Sequence, residues 1–184
     1  RQVIVVDNLF LGSEENIAPA VNRGAIFYNE DIEYKESLEY IFDQHDVDIV
    51  FNLATKALNY SFINPSNAFT TNVDGVINLL ELQRRGQFKS LCHFSTSEVY
   101  GTAIYEPMDE AHPKAPTTTY AAGKAAADLA VESYVKMFGS SIARGVIRAN
   151  DEIILDFRQR YIEALKIRSD DRSVVTDKMP HNFL

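Results

Sequence analysis

Short β-rich runs alternate with helical stretches along this chain, and that alternation restricts the fold more than any other feature. Residues 3–6, 25–28, 47–54, 90–94 and 142–147 read as strands. Consecutive parallel strands need a crossover, so the pattern specifies an α/β fold with a parallel sheet. Residues 34–44 carry Leu38, Ile41 and Phe42 at helical spacing. Asn64 followed by Pro65 reads as a helix start, a capping side chain before a proline in the first turn. That helix places Phe69, Val73, Val76, Ile77 and Leu80 on one side and stops at Gly86. A loop with Pro107, Pro113 and Pro116 leads to a long helix over 118–138, closed by Gly139. After Asn150 the character changes: 151–167 is charged and amphipathic, with Ile154, Phe157, Tyr161 and Leu165 at helical spacing. The expected organisation is therefore 1–150 as one α/β unit and 151–184 as a helical C-terminal segment.

The length of 184 residues suits one domain or a little more, and a 46% hydrophobic content is ample for a core. The formal net charge of −8 argues against nucleic acid or an anionic membrane as partner, since either would want a basic face. No apolar run approaches the roughly 20 residues that span a bilayer, and no signal peptide precedes the first strand. Cys92 is the single cysteine, set in an apolar run, and reads as a buried thiol in a reducing compartment. The expectation is a soluble, cytoplasmic protein. His45, His93, His112 and His181 are too scattered to suggest a metal site.

The chemistry sits in two short segments. Tyr120 and Lys124 lie four residues apart on a predicted helix and so project from one face. An ammonium beside a phenol favours the phenolate, which makes Tyr120 a usable general base for a hydroxyl. Alone this spacing is common, and a tyrosine packed on a sheet beside a solvated lysine would look the same. Upstream, however, Ser95-Thr96-Ser97-Glu98-Val99-Tyr100-Gly101 directly follows a strand. Ligands of open parallel sheets bind beyond the carboxyl ends of strands, which puts Thr96, Ser97 and Glu98 where a substrate would be met. Ala121, Ala122, Ala125 and Ala126 invite close helix contact.

With these segments in hand, residues 3–150 resemble the extended short-chain dehydrogenase/reductase superfamily, which includes the nucleotide-sugar epimerases, dehydratases and decarboxylases. The landmarks are Val-Val-Asp-Asn-Leu at 5–9, Asn-Leu-Ala at 52–54, Asn-Pro at 64–65 and Asn-Val-x-Gly at 72–75. The Ser-Thr-Ser-Glu-Val-Tyr-Gly and Tyr-Ala-Ala-Gly-Lys segments and Ile-Arg-Ala-Asn at 147–150 complete them. The resemblance implies a Rossmann-like doubly wound sheet, NAD as cofactor and a nucleotide sugar as substrate. It implies that Asp7 accepts hydrogen bonds from the adenosine ribose and disfavours NADP, that Asp31 and Ile32 border the adenine, and that Leu53 and Ala54 line the pyrophosphate side. Tyr120 would be the base and Lys124 its electrostatic partner, also touching the nicotinamide ribose. Thr96 would hydrogen-bond the sugar at the oxidised carbon, with Ser97 beside it, and Glu98 would serve as acid/base after oxidation. The implied reaction begins with transient oxidation at the sugar C4. Thr-Ser-Glu resembles the UDP-glucuronate decarboxylases and GDP-mannose dehydratases, whereas simple 4-epimerases usually lack the glutamate, so dehydratase or decarboxylase is favoured. In such enzymes the helix equivalent to 118–138 helps build a homodimer's four-helix bundle, and packing on the chain's own sheet is the equal alternative.

The family's first strand and its Gly-x-x-Gly-x-x-Gly turn would precede Val3. Neither Gly12 nor Gly24 follows a strand at the spacing such a turn needs. Compromised NAD affinity is therefore expected. So are two sheet fragments with apolar edges, which either pair directly or mark the chain as part of a longer protein; the second is favoured. At the other end, residues 156–184 resemble bacterial sulfotransferases with tetratricopeptide repeats through Thr-Asp-Lys-Met-Pro-His-Asn-Phe at 176–183, in which Lys178 would sit near sulfate transfer. A sulfotransferase-related fusion product and a non-catalytic interaction module are the alternatives to the enzyme reading.

Overall fold

The computed structural model describes residues 2–138. The strand at 142–147, Gly139 and the sulfotransferase-like segment with Lys178 lie outside the described residues. Within them the order is β1 (Ile4–Val6), α1 (Glu14–Val21), β2 (Ile26–Tyr28), α2 (Lys35–Gln44), β3 (Val47–Asn52), α3 (Leu58–Ser61), α4 (Pro65–Arg84), β4 (Phe88–His93), a 3-10 turn (Ser97–Tyr100) and α5 (Thr119–Phe138).

The strands form two parallel pairs. β1 runs beside β2 with Val5 opposite Phe27, and β3 beside β4 with Val50 opposite Leu91. Among the described residues the two pairs share no backbone ladder. Side chains join the pairs instead. Lys56, just after β3, brings its Nζ to 3.9 Å from Asp31 Oδ2, just after β2, and to 3.9 Å from the centre of the Phe10 ring after β1. Phe10 in turn meets Tyr60 edge-on at 4.9 Å. The carboxyl ends of both sheets consequently face one region.

The core lies under β3 and β4, where Leu38 and Phe42 of α2, Val76, Leu79, Leu80 and Leu82 of α4, Phe88 and Leu91 of β4 and Ala127 of α5 pack together. α4 starts as its sequence dictates: Asn64 Oδ1 accepts from the Asn67 amide at 3.1 Å and Pro65 fills the first turn, where no donor is lost. α5 packs along α4, and Gly123 is what permits the approach. A Cβ there would stand 3.1 Å from the Phe69 carbonyl oxygen and 3.2 Å from Asn72 Cβ. The alanines follow the same logic: Ala121 and Ala125 are buried within the chain, while Ala122 and Ala126 are half-buried. The alternative foreseen to a dimer contact was packing on the chain's own sheet; the element α5 runs along is chiefly helix α4.

Two elements were not evident in the sequence. α1 contains Pro19 and buries no residue, so neither periodicity nor composition announces it. α3 is a single turn. No helix among the described residues is long and apolar enough to cross a membrane.

Candidate active site

The carboxyl ends of the strands carry the residues singled out above. After β1, Asp7 is exposed, and its Oδ1 accepts from the Leu9 amide at 2.7 Å in a tight turn with Leu9 at φ 55°. Gly12 folds back beside it, where even a Cβ would lie 3.5 Å from Oδ1. After β2, Asp31 accepts from Asn8 Nδ2 at 2.5 Å and from the Glu33 amide at 3.0 Å. Its carboxylate therefore organises the loop as well as facing Lys56. Ile32 points into the core and packs against Gly75, where a Cβ would collide with it. After β3, Leu53 is 55% exposed and Ala54 packs on the core. Asn72 of α4 holds this loop, its Oδ1 accepting from Thr55 Oγ1 at 2.7 Å and from the Lys56 amide at 3.1 Å. Lys56 is 93% hidden from solvent by the same packing (7% exposed).

After β4 the chain enters the 3-10 turn. Thr96 is its cap: the side-chain oxygen accepts from the Glu98 amide at 3.3 Å, and the residue is buried. Ser97 and Glu98 are half-buried. Among the described residues the Glu98 carboxylate enters no hydrogen bond or ion pair with another side chain. Gly101 ends the turn at φ 67° and ψ −138°, its amide donating to the Glu98 carbonyl at 3.1 Å.

α5 packs against this turn. Tyr120 is half-buried in its first turn, and Lys124, one turn on, is only 3% exposed. The Lys124 ammonium donates to the Phe94 carbonyl, the residue linking β4 to Ser95 and Thr96. Burial pulls its pKa down to about 8, against the opposing pull of Asp128. It still carries its proton at neutral pH. The helix spacing of the pair was legible; the burial of Lys124 was not, because it depends on where β4 ends. His93, in β4, is held neutral, its pKa pushed down to about 3 by burial and by the Lys124 charge. Cys92 is buried as expected, which raises the pKa of its thiol and leaves it unreactive.

The loops after β1, β2 and β3 and the Tyr–Lys helix against a capped turn after β4 thus share one side of the molecule. A family model described as GDP-mannose 4,6 dehydratase matches residues 5–160. The chain belongs to the GDP-mannose 4,6 dehydratase family.

Relatives within and around this family agree. The dTDP-D-glucose 4,6-dehydratase of Mus musculus is 30% identical over 135 residues, 72% of this chain and 38% of that protein. UDP-glucose 4-epimerase of Thermotoga maritima, solved with UDP-glucose, superposes with a TM-score of 0.69 at 33% identity, covering 75% of this chain and 44% of that one. DesIV, a dTDP-glucose 4,6-dehydratase of Streptomyces venezuelae solved with NAD bound, gives a TM-score of 0.69 at 30% identity over 75% and 43% of the two chains. The fold is therefore the Rossmann-like one expected. The chain spans less than half the length of the relatives it matches. The GDP-mannose 4,6 dehydratase match continues past Asn150, where the composition changes.

Sequence reasoning missed Lys56, His93 and Asp128. Lys56 and His93 acquire their partners from elements distant in the chain. Asp128 meets Ser95 and His93 the same way, although its place one helical turn after Lys124 was a local signal that could have drawn attention to it.

Proposed function

We propose that the chain carries the acid/base centre and the nucleoside-binding end of an NAD-dependent enzyme that modifies nucleotide sugars, of the 4,6-dehydratase type. Decarboxylase and epimerase chemistry share its first step. The observation that carries this reading is the Lys124 ammonium, buried against Phe94 one helical turn after Tyr120 and beside the Thr96–Glu98 turn. The residues present fit the nucleoside end of NAD. Asp7 offers an exposed carboxylate as acceptor for a ribose diol and repels an additional phosphate, and Gly12 leaves the space beside it free of a side chain.

NAD, when bound, supplies the hydride acceptor for carbon 4 of the sugar and the return of that hydride. Tyr120, one helical turn before Lys124, takes the C4 hydroxyl proton. Thr96 orients the same hydroxyl. Once carbon 4 is a carbonyl, the hydrogen on carbon 5 is acidified; Glu98 takes it as a proton and passes that proton to the C6 oxygen, so that the C6 hydroxyl leaves as water. The free Glu98 carboxylate favours this elimination over simple epimerisation, which needs no second base. A homodimer would use the outer face of α5, where Leu129 is exposed.

Amide chemical shifts recorded on titration with millimolar NAD⁺ test the reading. Shifts are expected to cluster at Asp7, Asp31, Leu53 and Ala54, to vanish in Asp7→Ala, and to shrink when NADP⁺ replaces NAD⁺. Scattered shifts, or a cluster indifferent to Asp7, would overturn it.

A further inference from the structure

Behind Lys124, on the side away from Tyr120, lies a buried polar cluster that the catalytic scheme leaves unused. Asp128 follows Lys124 by one helical turn, with a side chain only 16% exposed. One of its oxygens, Oδ2, accepts from Ser95 Oγ at 2.8 Å and faces Lys114 Nζ at 3.5 Å. The other, Oδ1, faces His93 Nε2 at 3.8 Å. The His93 ring is oriented from its far side, since Asn52 Nδ2 donates to Nδ1 at 3.2 Å. Nδ1 is therefore the acceptor, and the ring proton sits on Nε2, directed toward the carboxylate. His93 Nε2 has no other partner and no contact with solvent. Lys114 also reaches Glu132, one turn further along α5, at 3.7 Å.

Three consecutive positions at the end of β4 are thus tied to one turn of α5: His93 and Ser95 to Asp128, and the Phe94 carbonyl between them to Lys124. An ammonium this deeply buried needs a nearby opposite charge to stay protonated. Asp128, one helical turn along α5 and bonded to Ser95, the residue next to the Phe94 carbonyl that holds the ammonium, is the carboxylate that opposes the cost of its burial. The charged groups around Asp128 are Lys124 and Glu132 on α5, His93 on β4 and Lys114 on the preceding loop, and His93 contributes no charge near neutral pH.

We propose that Asp128 is a positioning residue for Lys124, anchoring α5 to the end of β4 through Ser95 and His93 and supplying the counter-charge that keeps the buried ammonium protonated. The proposal rests on the reading of Lys124 as the charge beside Tyr120, but its test does not depend on catalysis. The chain is labelled with carbon-13 at lysine Cε, the Lys124 signal is assigned by its loss in Lys124→Met, and its titration is followed from neutral to alkaline pH. In Asp128→Asn the midpoint is expected to fall by about one pH unit; in Asp128→Glu it should return toward the parent value. Lys114→Gln, a change at a partly exposed side chain, removes a competing cation from Asp128 and should move the midpoint up by about 0.3 units. The opposite signs separate a charge effect from general loosening, which would move both variants the same way. An unmoved midpoint in folded Asp128→Asn overturns the proposal. If Asp128→Asn does not fold, Lys114→Gln decides: an upward shift supports the proposal, and an unchanged or lowered midpoint overturns it. A shifted midpoint in a chain that ignores NAD⁺ would leave this positioning role standing and remove the cofactor reading alone.

Discussion

Gly101→Ala is expected to destabilise the chain by about 2–6 kcal/mol, a large share of the roughly 5–15 kcal/mol that holds a typical domain together. Two costs add. The backbone at φ 67° and ψ −138° lies in a region that residues with a Cβ adopt only under strain, on the order of 1–3 kcal/mol. The added methyl would also sit 2.0 Å from the Ala115 carbonyl oxygen and 3.0 Å from its carbon, both backbone atoms that cannot rotate aside. Displacing them costs a further 1–3 kcal/mol or so. The collision is local to the feature that matters for chemistry. Ala115 is tied to the 3-10 turn by its amide, which donates to the Val99 carbonyl at 3.0 Å. Urea unfolding measures the total, and amide exchange at Ala115 reports whether the turn has lost its cover. Stability within about 0.5 kcal/mol of the parent would show that this backbone does not occupy the strained region described.

The second large effect has the opposite sign. Lys124→Met is expected to stabilise the fold at neutral pH while removing the charge that the proposed function assigns to Tyr120. In the unfolded chain the lysine titrates near its ordinary value of 10.5, and in the folded chain burial brings it to about 8. Below pH 8 both states hold the proton, and the full cost of burying the charge is present, on the order of 3 kcal/mol at about 1.4 kcal/mol per unit. Between pH 8 and 10.5 the unfolded state binds more protons than the folded one, so the stability of the parent rises with pH and the cost fades. Methionine escapes that cost and fits the same elongated space, but gives up the hydrogen bond to Phe94. The net gain should be about 1–2 kcal/mol, roughly 2–8 °C in Tm for a chain of this size. Thermal unfolding at pH 7 and again at pH 10 is the measurement, and the advantage should shrink at the higher pH. A variant less stable than the parent at pH 7 would mean that the ammonium contributes more through its partners than its burial costs.

How far the sequence disclosed this arrangement depended on range. Helix α4 was readable at its start because its cap, Asn64, is local, and the structure reproduces it. Of the side expected to be apolar, Val76 and Leu80 are buried, but Phe69 is 39% exposed and the buried side includes Thr71 and Asn72, which hydrophobicity alone does not mark. The four strands that fall within the described residues were found to within a few residues, β3 ending at Asn52 where a longer apolar run had suggested Ala54. Tyr120 and Lys124 were readable as a pair because helical geometry fixes their relation. What surrounds them was not. Asp128 meets Ser95 across 33 positions, and Asn52 meets His93 across 41, so no window short enough to show periodicity contains both partners. Lys56 had the opposite problem: composition makes a lysine in a loop look solvated, and only the approach of Phe10 and Asp31 buries it. α1 stayed hidden because it sits on the surface with Pro19 inside it and has no apolar stripe to show.

The absence of a ladder between the two strand pairs has a consequence for how the molecule opens. β1, α1 and β2 contribute no fully buried side chain, whereas β3, β4, α4 and α5 enclose the core. Free energies of local opening are therefore graded across the chain, small for the first three elements and approaching the global value for the rest. The end carrying β1 and β2 is therefore expected to open ahead of the end carrying Tyr120 and Lys124. A dinucleotide that grips Asp7 stabilises only the conformations in which the first pair is docked, so its binding energy is divided between contact and the closing of that pair. Amides of β1 and β2 should thus exchange ahead of Leu91 and slow selectively when the ligand is present, so that the weakest part of the fold registers occupancy.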